Sequence, residues 1–471
     1  MRKLSELYAG PRKGWPNRGE ETCGCSGSAR TGGGEKTGGS TTTGTEGSNR
    51  TGSTEEAEGA PVEHGFLIPG FRNYSGRMLR INILALGDVG GTLALAMKLT
   101  GADIVSRIGI CEISEKALKR WEQELNQIAM PSDPQLFPQV EPIAAEEMFD
   151  CDVFVFCASR GVPDVSQTDV DVRMVQLEKN LELVRSISDQ AVKAGFDGEF
   201  FIVSDPVDPL CAGAVRNGIP AERVQGFGLG VMNGRAAYFA RLAQQGMAAK
   251  GLSAENAMPD ARTDRPAEEN LSQETVASDA KTDWALEDIR QANMAKYLTE
   301  GRVFGPHGED LVVANSVIDY NEEASLELTR LTVEANLRIR ELGYKPYIAP
   351  AVTSGALSIL ENLRGNWQYS SAWFGPYDRF GNEDSGGLGS GAYGTVCGGP
   401  HNETGTALCG GPDGELNDKS CGGSGGAAGT GAFLGMRNRR CEVGLLVEDL
   451  PLDERLFARI QRAYRNLENL K

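Results

Sequence analysis

Three histidines occur in 471 residues, so an imidazole that handles protons has few candidates. His64 and His401 lie in low-complexity sequence, whereas His307 sits in a tight turn, Gly305-Pro-His307-Gly, ahead of an apolar run. Imidazole titrates near neutral pH, which suits proton transfer. Taken alone, a histidine in such a turn reads as a turn residue. A second constellation lies in Arg80–Leu99. A short, largely apolar run is turned by Gly87-Asp88-Val89-Gly90-Gly91, after which Leu93, Ala94, Ala96, Met97 and Leu99 begin a helix. A glycine-rich turn between strand and helix aims free backbone N–H groups and the helix's positive end at one point, which suits a pyrophosphate. Gly87 allows a ligand to approach the backbone, and Gly90 allows helix and strand to pack closely. Ala85 stands where the first glycine of this fingerprint usually is. The next apolar run, Ile104–Cys111, ends in Glu112, 22 residues after Gly90. There an acidic side chain accepts hydrogen bonds from an adenosine ribose. An ordinary β-turn-α unit with a surface glutamate is the other reading of the same residues.

These groups need elements to position them. Leu118, Trp121, Leu125 and Ile128 recur at spacings of 3, 4 and 3, which predicts an amphipathic helix over 115–128. Asp152–Ala158 and Glu199–Val203 read as buried strands. Between them Met174, Leu177, Leu181, Val184, Ile187 and Ala191 mark a long helix. Apolar strands alternating with helices predict a parallel sheet covered on both faces, with ligands beyond the carboxyl ends of its strands. Gly87, Glu112, Ala158-Ser159-Arg160, Val203 and Ser204-Asp205 then lie along one edge. Arg173 and Asn180, two helical turns apart, project from nearly the same face; by itself Arg173 reads as a solvated surface charge. Past Gly226 a short strand and a Gly-rich turn lead into a helix carrying Arg235.

Composition narrows the function classes. A net charge of −18 argues against a nucleic-acid binder, which needs a basic surface. No apolar run approaches the ~20 residues that span a bilayer, and the N-terminus lacks the apolar core of a secretory signal. Ten cysteines without compact spacing read as reduced thiols of a cytoplasmic protein. Residues 1–79, rich in Gly, Ser, Thr and Glu, read as a disordered tail; no further ligands accompany its Cys23-Gly-Cys25. Residues 250–283 read as a polar insertion and 381–431 as a Gly-rich one. The latter repeats Cys-Gly-Gly from Cys397, Cys409 and Cys421, with His401 between the first two. A zinc site needs four ligands in defined geometry, and this spacing is too wide, so a solvated repeat is preferred and no metal is assigned. Near the end, Asp453 caps a helix whose Leu456, Ile460, Ala463, Leu467 and Leu470 line one face.

Gly87-x-x-Gly90, Glu112, Arg173 with Asn180, Ser204-Asp205-Pro206-Val207-Asp208, Arg235 and Gly305-Pro-His307-Gly occur in that order. Together they resemble the lactate/malate dehydrogenase family of NAD-dependent 2-hydroxy-acid dehydrogenases. Tyr347-Ile-Ala-Pro350 and Glu448-Asp-Leu-Pro-Leu452 extend the resemblance toward the end of the chain. It implies an α/β fold in which a Rossmann-type parallel-sheet domain (80–226) precedes an α+β catalytic domain (227–471). It also implies NAD as cofactor, held by Gly87, Asp88, Val89, Gly90, Glu112 and, further along the edge, Ala158, Asn180 and Val203. Arg235 would hold the substrate carboxylate in a two-pronged contact. Arg173 would polarise the carbonyl, and His307 would take the hydroxyl proton. Ser159–Val172 resembles the family's lid. The partner implied is a small 2-hydroxy or 2-oxo acid, malate or lactate, and the assembly a homo-oligomer of two or four copies. For a dicarboxylate the second cation nearest the lid is Arg160.

Three departures mark the chain. Met232 occupies the position, three before Arg235, where the family has the aspartate that holds the catalytic imidazole. Asp205 replaces an asparagine that contacts substrate and cofactor. The lid is longer than usual. Loss of one carboxylate and gain of another around one imidazole suggest that Asp205 orients His307 from a new side. The alternative is a catalytically degenerate relative with a structural or regulatory role. Another NAD-dependent family on the same fold lacks a recognisable metal-ligand cluster here.

Overall fold

The computed structural model describes residues 1–7, 65–160, 172–256, 286–344, 349–375 and 431–470. Its first strand, β1 (Gly65–Ile68), precedes a run of alternating strands and helices. These are β2 (Leu79–Leu84), α1 (Asp88–Thr100), β3 (Val105–Cys111), α2 (Glu115–Asn126), β4 (Gln139–Pro142), β5 (Val153–Phe156), α3 (Val172–Lys193), β6 (Glu199–Ile202), α4 (Val207–Arg216) and β7 (Val224–Gly226). Six of the strands are parallel, in the order β7-β6-β5-β2-β3-β4. This is the arrangement of two mononucleotide-binding halves meeting between the first and fourth strands. β5 and β6 are buried at every position, as strands covered on both faces demand, the one charged side chain, Glu199, being paired with Arg440. On one face Ile81, Ile83 and Ile108 pack against Leu93, Met97 and Leu360. On the other, Phe154, Phe156 and Phe200 pack against Val184, Ile187 and Leu210. Each such fully buried phenylalanine contributes about 2–3 kcal/mol relative to an exposed one, so strands this short suffice. α2 begins where Ser114 accepts a hydrogen bond from the Ala117 N–H, the expected capping geometry.

The sheet does not stop at β7. Gly226 pairs with Ser371 of β10 (Gln368–Phe374), and the sheet continues antiparallel through β11 (Ala432–Cys441) and β12 (Gly444–Glu448) to β1 at the far edge. The expected boundary at 226/227 is therefore a seam inside one ten-stranded sheet. α5 (Leu229–Asn256) leaves from that seam. A separate hairpin, β8 (Arg302–Phe304) with β9 (Val312–Ala314), carries the His307 turn between its strands. The last helix, Glu454–Asn469, is capped by Asp453, and Leu456, Ile460, Ala463 and Leu467 are buried on its inner face.

A buried ion pair clamps the two parts of the sheet. Arg440 of β11 donates to Glu199 of β6 (2.6 Å), to the Gln225 Oε1 of β7 (2.5 Å) and to Asn362 (2.7 Å). Tyr74 donates to the other oxygen of Glu199 (2.9 Å). Burial next to that carboxylate pushes the Tyr74 phenol well above its usual range.

The tail expected over residues 1–79 is shorter than composition indicates. Leu4 is buried, Ser5 donates twice to Asp449, and Arg2 bridges Leu452. At the other end β1 joins the sheet, and Phe71 and Tyr74 are buried. A few well-placed apolar residues anchor both ends although the average composition is polar. The start of the polar insertion is likewise corrected, because α5 runs through Asn256. Residues 8–64, with Cys23, Cys25 and His64, lie outside the described residues, as do 257–285 and the Cys-Gly-Gly repeats with His401. Among the described residues no helix is long and apolar enough to cross a membrane. None of their His, Cys, Asp and Glu side chains group in threes that could hold a metal ion.

Candidate active site

The glycine turn is built as a nucleotide cradle. Ala85 sits in the left-handed region, φ 72°, where its Cβ is strained and glycine would not be. Gly90 has no alternative: a Cβ there would lie 1.9 Å from the Ala85 carbonyl oxygen. Gly91 likewise gives way to the Trp121 ring. Gly87 is different, for a Cβ there would meet nothing within 4 Å among the described residues. It caps α1, whose first turn consists of Asp88, Val89 and Gly90. The N–H groups of that turn have no partner within the helix. Open space in front of a helix N-terminus fits a dinucleotide pyrophosphate. Glu112 lies beside it. Its carboxylate accepts the Leu86 N–H (2.7 Å) and the Ile113 N–H (2.8 Å), so it braces the turn and retains lone pairs for a ribose.

At the ends of β5 and β6, Asn180 ties two loops together. Fully buried, it accepts the Arg160 N–H (2.7 Å) and donates to Ser159 Oγ (3.2 Å) and the Asp205 carbonyl (2.8 Å). Its amide is engaged with protein, so it shapes the edge instead of presenting donors to it. Ser204 Oγ donates to the Ala158 carbonyl (2.7 Å). The Val203 N–H bonds the Phe156 carbonyl (3.0 Å). The Arg160 side chain is exposed. Arg173 lies in the first turn of α3, and its side chain is outside those described, as is 161–171 of the lid segment.

His307 is anchored through its backbone, and its ring approaches a carboxylate. Its N–H donates to Asp208 Oδ2 (3.0 Å), and its Nδ1 lies 3.3 Å from Asp205 Oδ1. Both carboxylates come from Asp205-Pro206-Val207-Asp208, between β6 and the first turn of α4. Gly228 makes the room: a Cβ there would be 2.2 Å from His307 Nδ1. Asp208 is buried, and burial raises its pKa to about 6, with the neighbouring Asp205 charge adding to the rise and the Ser371 hydroxyl and His307 N–H opposing it.

Arg235 faces the same cluster. Burial lowers its pKa, and the Asp205 carboxylate acts against that. Nη2 donates to Asn336 Oδ1 (2.6 Å) and Nη1 approaches Met232 Sδ at 3.9 Å. Nε is buried without a hydrogen-bond partner among the described residues. Met232 is itself buried, packed with Leu229, Phe239 and Tyr297. Asn233, its neighbour, accepts the Tyr297 hydroxyl (2.8 Å). The structure thus brings His307 and Asp205 together beyond the carboxyl end of β6, with Arg235 near enough for the Asp205 charge to act on it. Sequence reasoning missed Gly228, Asp208 as the anchor of the His307 backbone, and Asn336. The Gly-rich Phe227-Gly-Leu-Gly stretch was a signal for the first, and the Asp205–Asp208 spacing for the second. Nothing local points to Asn336, about a hundred residues from Arg235.

Comparison with known proteins bears on this edge. Residues 79–226 match the family model described as lactate/malate dehydrogenase, NAD binding domain. The chain carries a lactate/malate dehydrogenase NAD-binding domain. It is 30% identical over 161 residues to L-lactate dehydrogenase 2 of Staphylococcus aureus (strain JH9), a match covering 34% of this chain. It spans about half the length of that relative, 47%. The minor L-lactate dehydrogenase of Enterococcus mundtii, solved in a ligands-bound form, is similar in fold: TM-score 0.50 at 18% identity, over 83% of this chain and 97% of that one. A malate dehydrogenase of Archaeoglobus fulgidus, solved with NADH, has a TM-score of 0.49 at 15% identity, over 83% and 98% of the two chains. The match over residues 79–226 is to a domain that binds NAD, and the open space at Gly87 before α1 is compatible with that cofactor.

Proposed function

We propose that this protein is an NAD-dependent dehydrogenase that oxidises a 2-hydroxy acid, malate or lactate, to the 2-oxo acid and runs the reverse reaction. The observation that carries the reading is the approach of His307 and Asp205, with Arg235 within reach of the Asp205 charge, at the carboxyl edge of a sheet that matches an NAD-binding domain. Gly87, Asp88, Val89 and Gly90 hold the pyrophosphate and Glu112 the ribose, with Ala158, Asn180 and Val203 shaping the edge beside them; bound NAD supplies the hydride acceptor. The Glu112 carboxylate repels the extra phosphate of NADP.

Arg235 binds the substrate carboxylate, and its buried Nε is a donor awaiting such an anion. The His307 imidazole takes the hydroxyl proton as the carbon loses hydride, and returns it in the reverse direction. Arg173 polarises the carbonyl, and Arg160 is the cation available to a second carboxylate. Five free thiols among the described cysteines suit the reducing cytoplasm, and a homo-oligomer of two or four copies accompanies the reading.

Buried Met232 in place of an imidazole-holding carboxylate favours a second reading, a relative that binds NADH and does not turn over. Absorbance at 340 nm with NAD and a panel of 2-hydroxy acids, beside NADH fluorescence titration, separates the two. Turnover supports the dehydrogenase; tight NADH binding with no turnover on any acid overturns it.

A further inference from the structure

We infer that Asp205 is the positioning residue for the His307 imidazole, doing from the β6–α4 turn what the side chain at 232 on α5 cannot. The inference rests on the dehydrogenase reading for its catalytic meaning, though its geometry does not depend on it. Asp205 Oδ1 stands 3.3 Å from His307 Nδ1. The imidazole is 17% exposed and the carboxylate 58%, so the ring is largely dry while the acid keeps one side in water. Such a carboxylate acts on the shielded ring through less solvent than a fully exposed pair would.

The rest of the surroundings limit the alternatives. Met232 is packed in an apolar cluster with its sulfur toward Arg235, and Asn233 is engaged by the Tyr297 hydroxyl. Asp208 accepts the histidine backbone N–H. The ring cannot swing toward α5, because it packs directly on Gly228. Among the described residues, charged groups near the ring include Asp205 from the β6–α4 turn and Asp208 from α4, with Arg235 of α5 close enough to feel the Asp205 charge. Arg235 acts on Asp205 and partly offsets its charge.

At 3.3 Å the Asp205 charge, rather than an aligned hydrogen bond, acts on Nδ1 and favours the tautomer with its proton there, leaving Nε2 to receive the hydroxyl proton. It also stabilises the imidazolium that results. An asparagine at 205 could still accept from Nδ1, but it would carry no charge to stabilise the cation.

The test uses the full chain with Asp205→Asn, Asp205→Glu and, for assignment, His307→Gln. NMR titration of protein labelled at the histidine ring carbons follows His307 directly, since only three histidines contribute. In Asp205→Asn the His307 midpoint should fall by about one pH unit, the lower end of the shift from an opposite charge at this range. The ascending limb of the kcat/KM profile should move with it, and Asp205→Glu should restore much of the midpoint. A His307 midpoint in Asp205→Asn within about 0.2 units of the parent overturns the inference. If the midpoint falls but the parent turns over no 2-hydroxy acid, the dehydrogenase reading fails and the Asp205–His307 coupling stands. If the parent turns over and neither midpoint nor profile moves, the coupling alone fails.

Discussion

Gly228→Ala tests how closely chemistry depends on where the imidazole sits. The added Cβ would stand 2.2 Å from His307 Nδ1, 2.6 Å from Cγ and 2.9 Å from Cβ, whereas ordinary contact begins at 3.4 Å. The ring must retreat by about 1.2 Å to clear it. Its backbone is tied to Asp208, so the retreat falls on the side chain and disturbs the 3.3 Å approach to Asp205. Gly228 does not have a left-handed φ, so alanine brings a steric change with no backbone penalty. A misplacement of about 1 Å costs on the order of 100-fold in rate, about 2.7 kcal/mol of barrier. We expect kcat/KM for 2-hydroxy-acid oxidation to fall by about that factor, with NADH affinity by fluorescence titration unchanged because the glycine cradle is untouched. Turnover within about threefold of the parent would refute the reasoning. Loss of NADH binding as well would show damage to the fold and refute it equally.

Other consequences are measurable by urea unfolding. Burial raises the folded-state pKa of Asp208 to about 6 from an ordinary 3.8, so its stabilising contribution is full below about pH 4 and is lost as pH rises through 6. Relative to Asp208→Asn, the parent should lose about 2 kcal/mol between pH 4 and 7.5; parallel pH dependences would contradict this. Ala85→Gly relieves a left-handed alanine and should stabilise the chain by about 0.5–1 kcal/mol, the strain relief exceeding the entropy that glycine adds to the unfolded state; a lowered urea midpoint would count against the strain. Arg440→Met leaves Glu199 buried and unpaired and should cost about 3–5 kcal/mol, part of it recovered in the double variant with Glu199→Gln. A single-variant loss below about 1 kcal/mol would show that the pair is not what clamps the sheet.

The NAD-binding half was legible because its strands are apolar on both faces. The runs Val153–Phe156 and Glu199–Ile202 can only be central strands, and the helix spacing between them leaves one arrangement. β4 escaped notice because Gln139-Val-Glu-Pro buries a single apolar side chain, Val140, at a sheet edge. β1 was hidden by the polar composition that follows the docked N-terminus. The seam between Gly226 and Ser371 could not be read from local pattern, since it pairs residues 145 apart. The same division runs through the site. Gly87–Gly90, Glu112 and the Ser204–Asp208 turn announce themselves by residue type. Compensation between Met232 and Asp205 points from the sequence to a pairing with His307, and Asp205 Oδ1 stands 3.3 Å from His307 Nδ1. Asn336 and Gly228 matter only through what the fold lays beside them.

The seam has a mechanical meaning for the site above it. Gly226 leaves no room there for a larger residue, since a Cβ would meet Val207 Cγ1 at 2.5 Å and Cys211 Sγ at 3.0 Å. Across it, a carboxylate rooted in the nucleotide half grips the main chain of a histidine rooted in the other half. Any tilt of one half against the other is therefore passed to the imidazole as a displacement, like play in a bearing felt at the tip of the shaft. On the proposed function the joint would set the working tolerance of the proton-transfer step, and sequence changes along its length would detune that step without touching substrate.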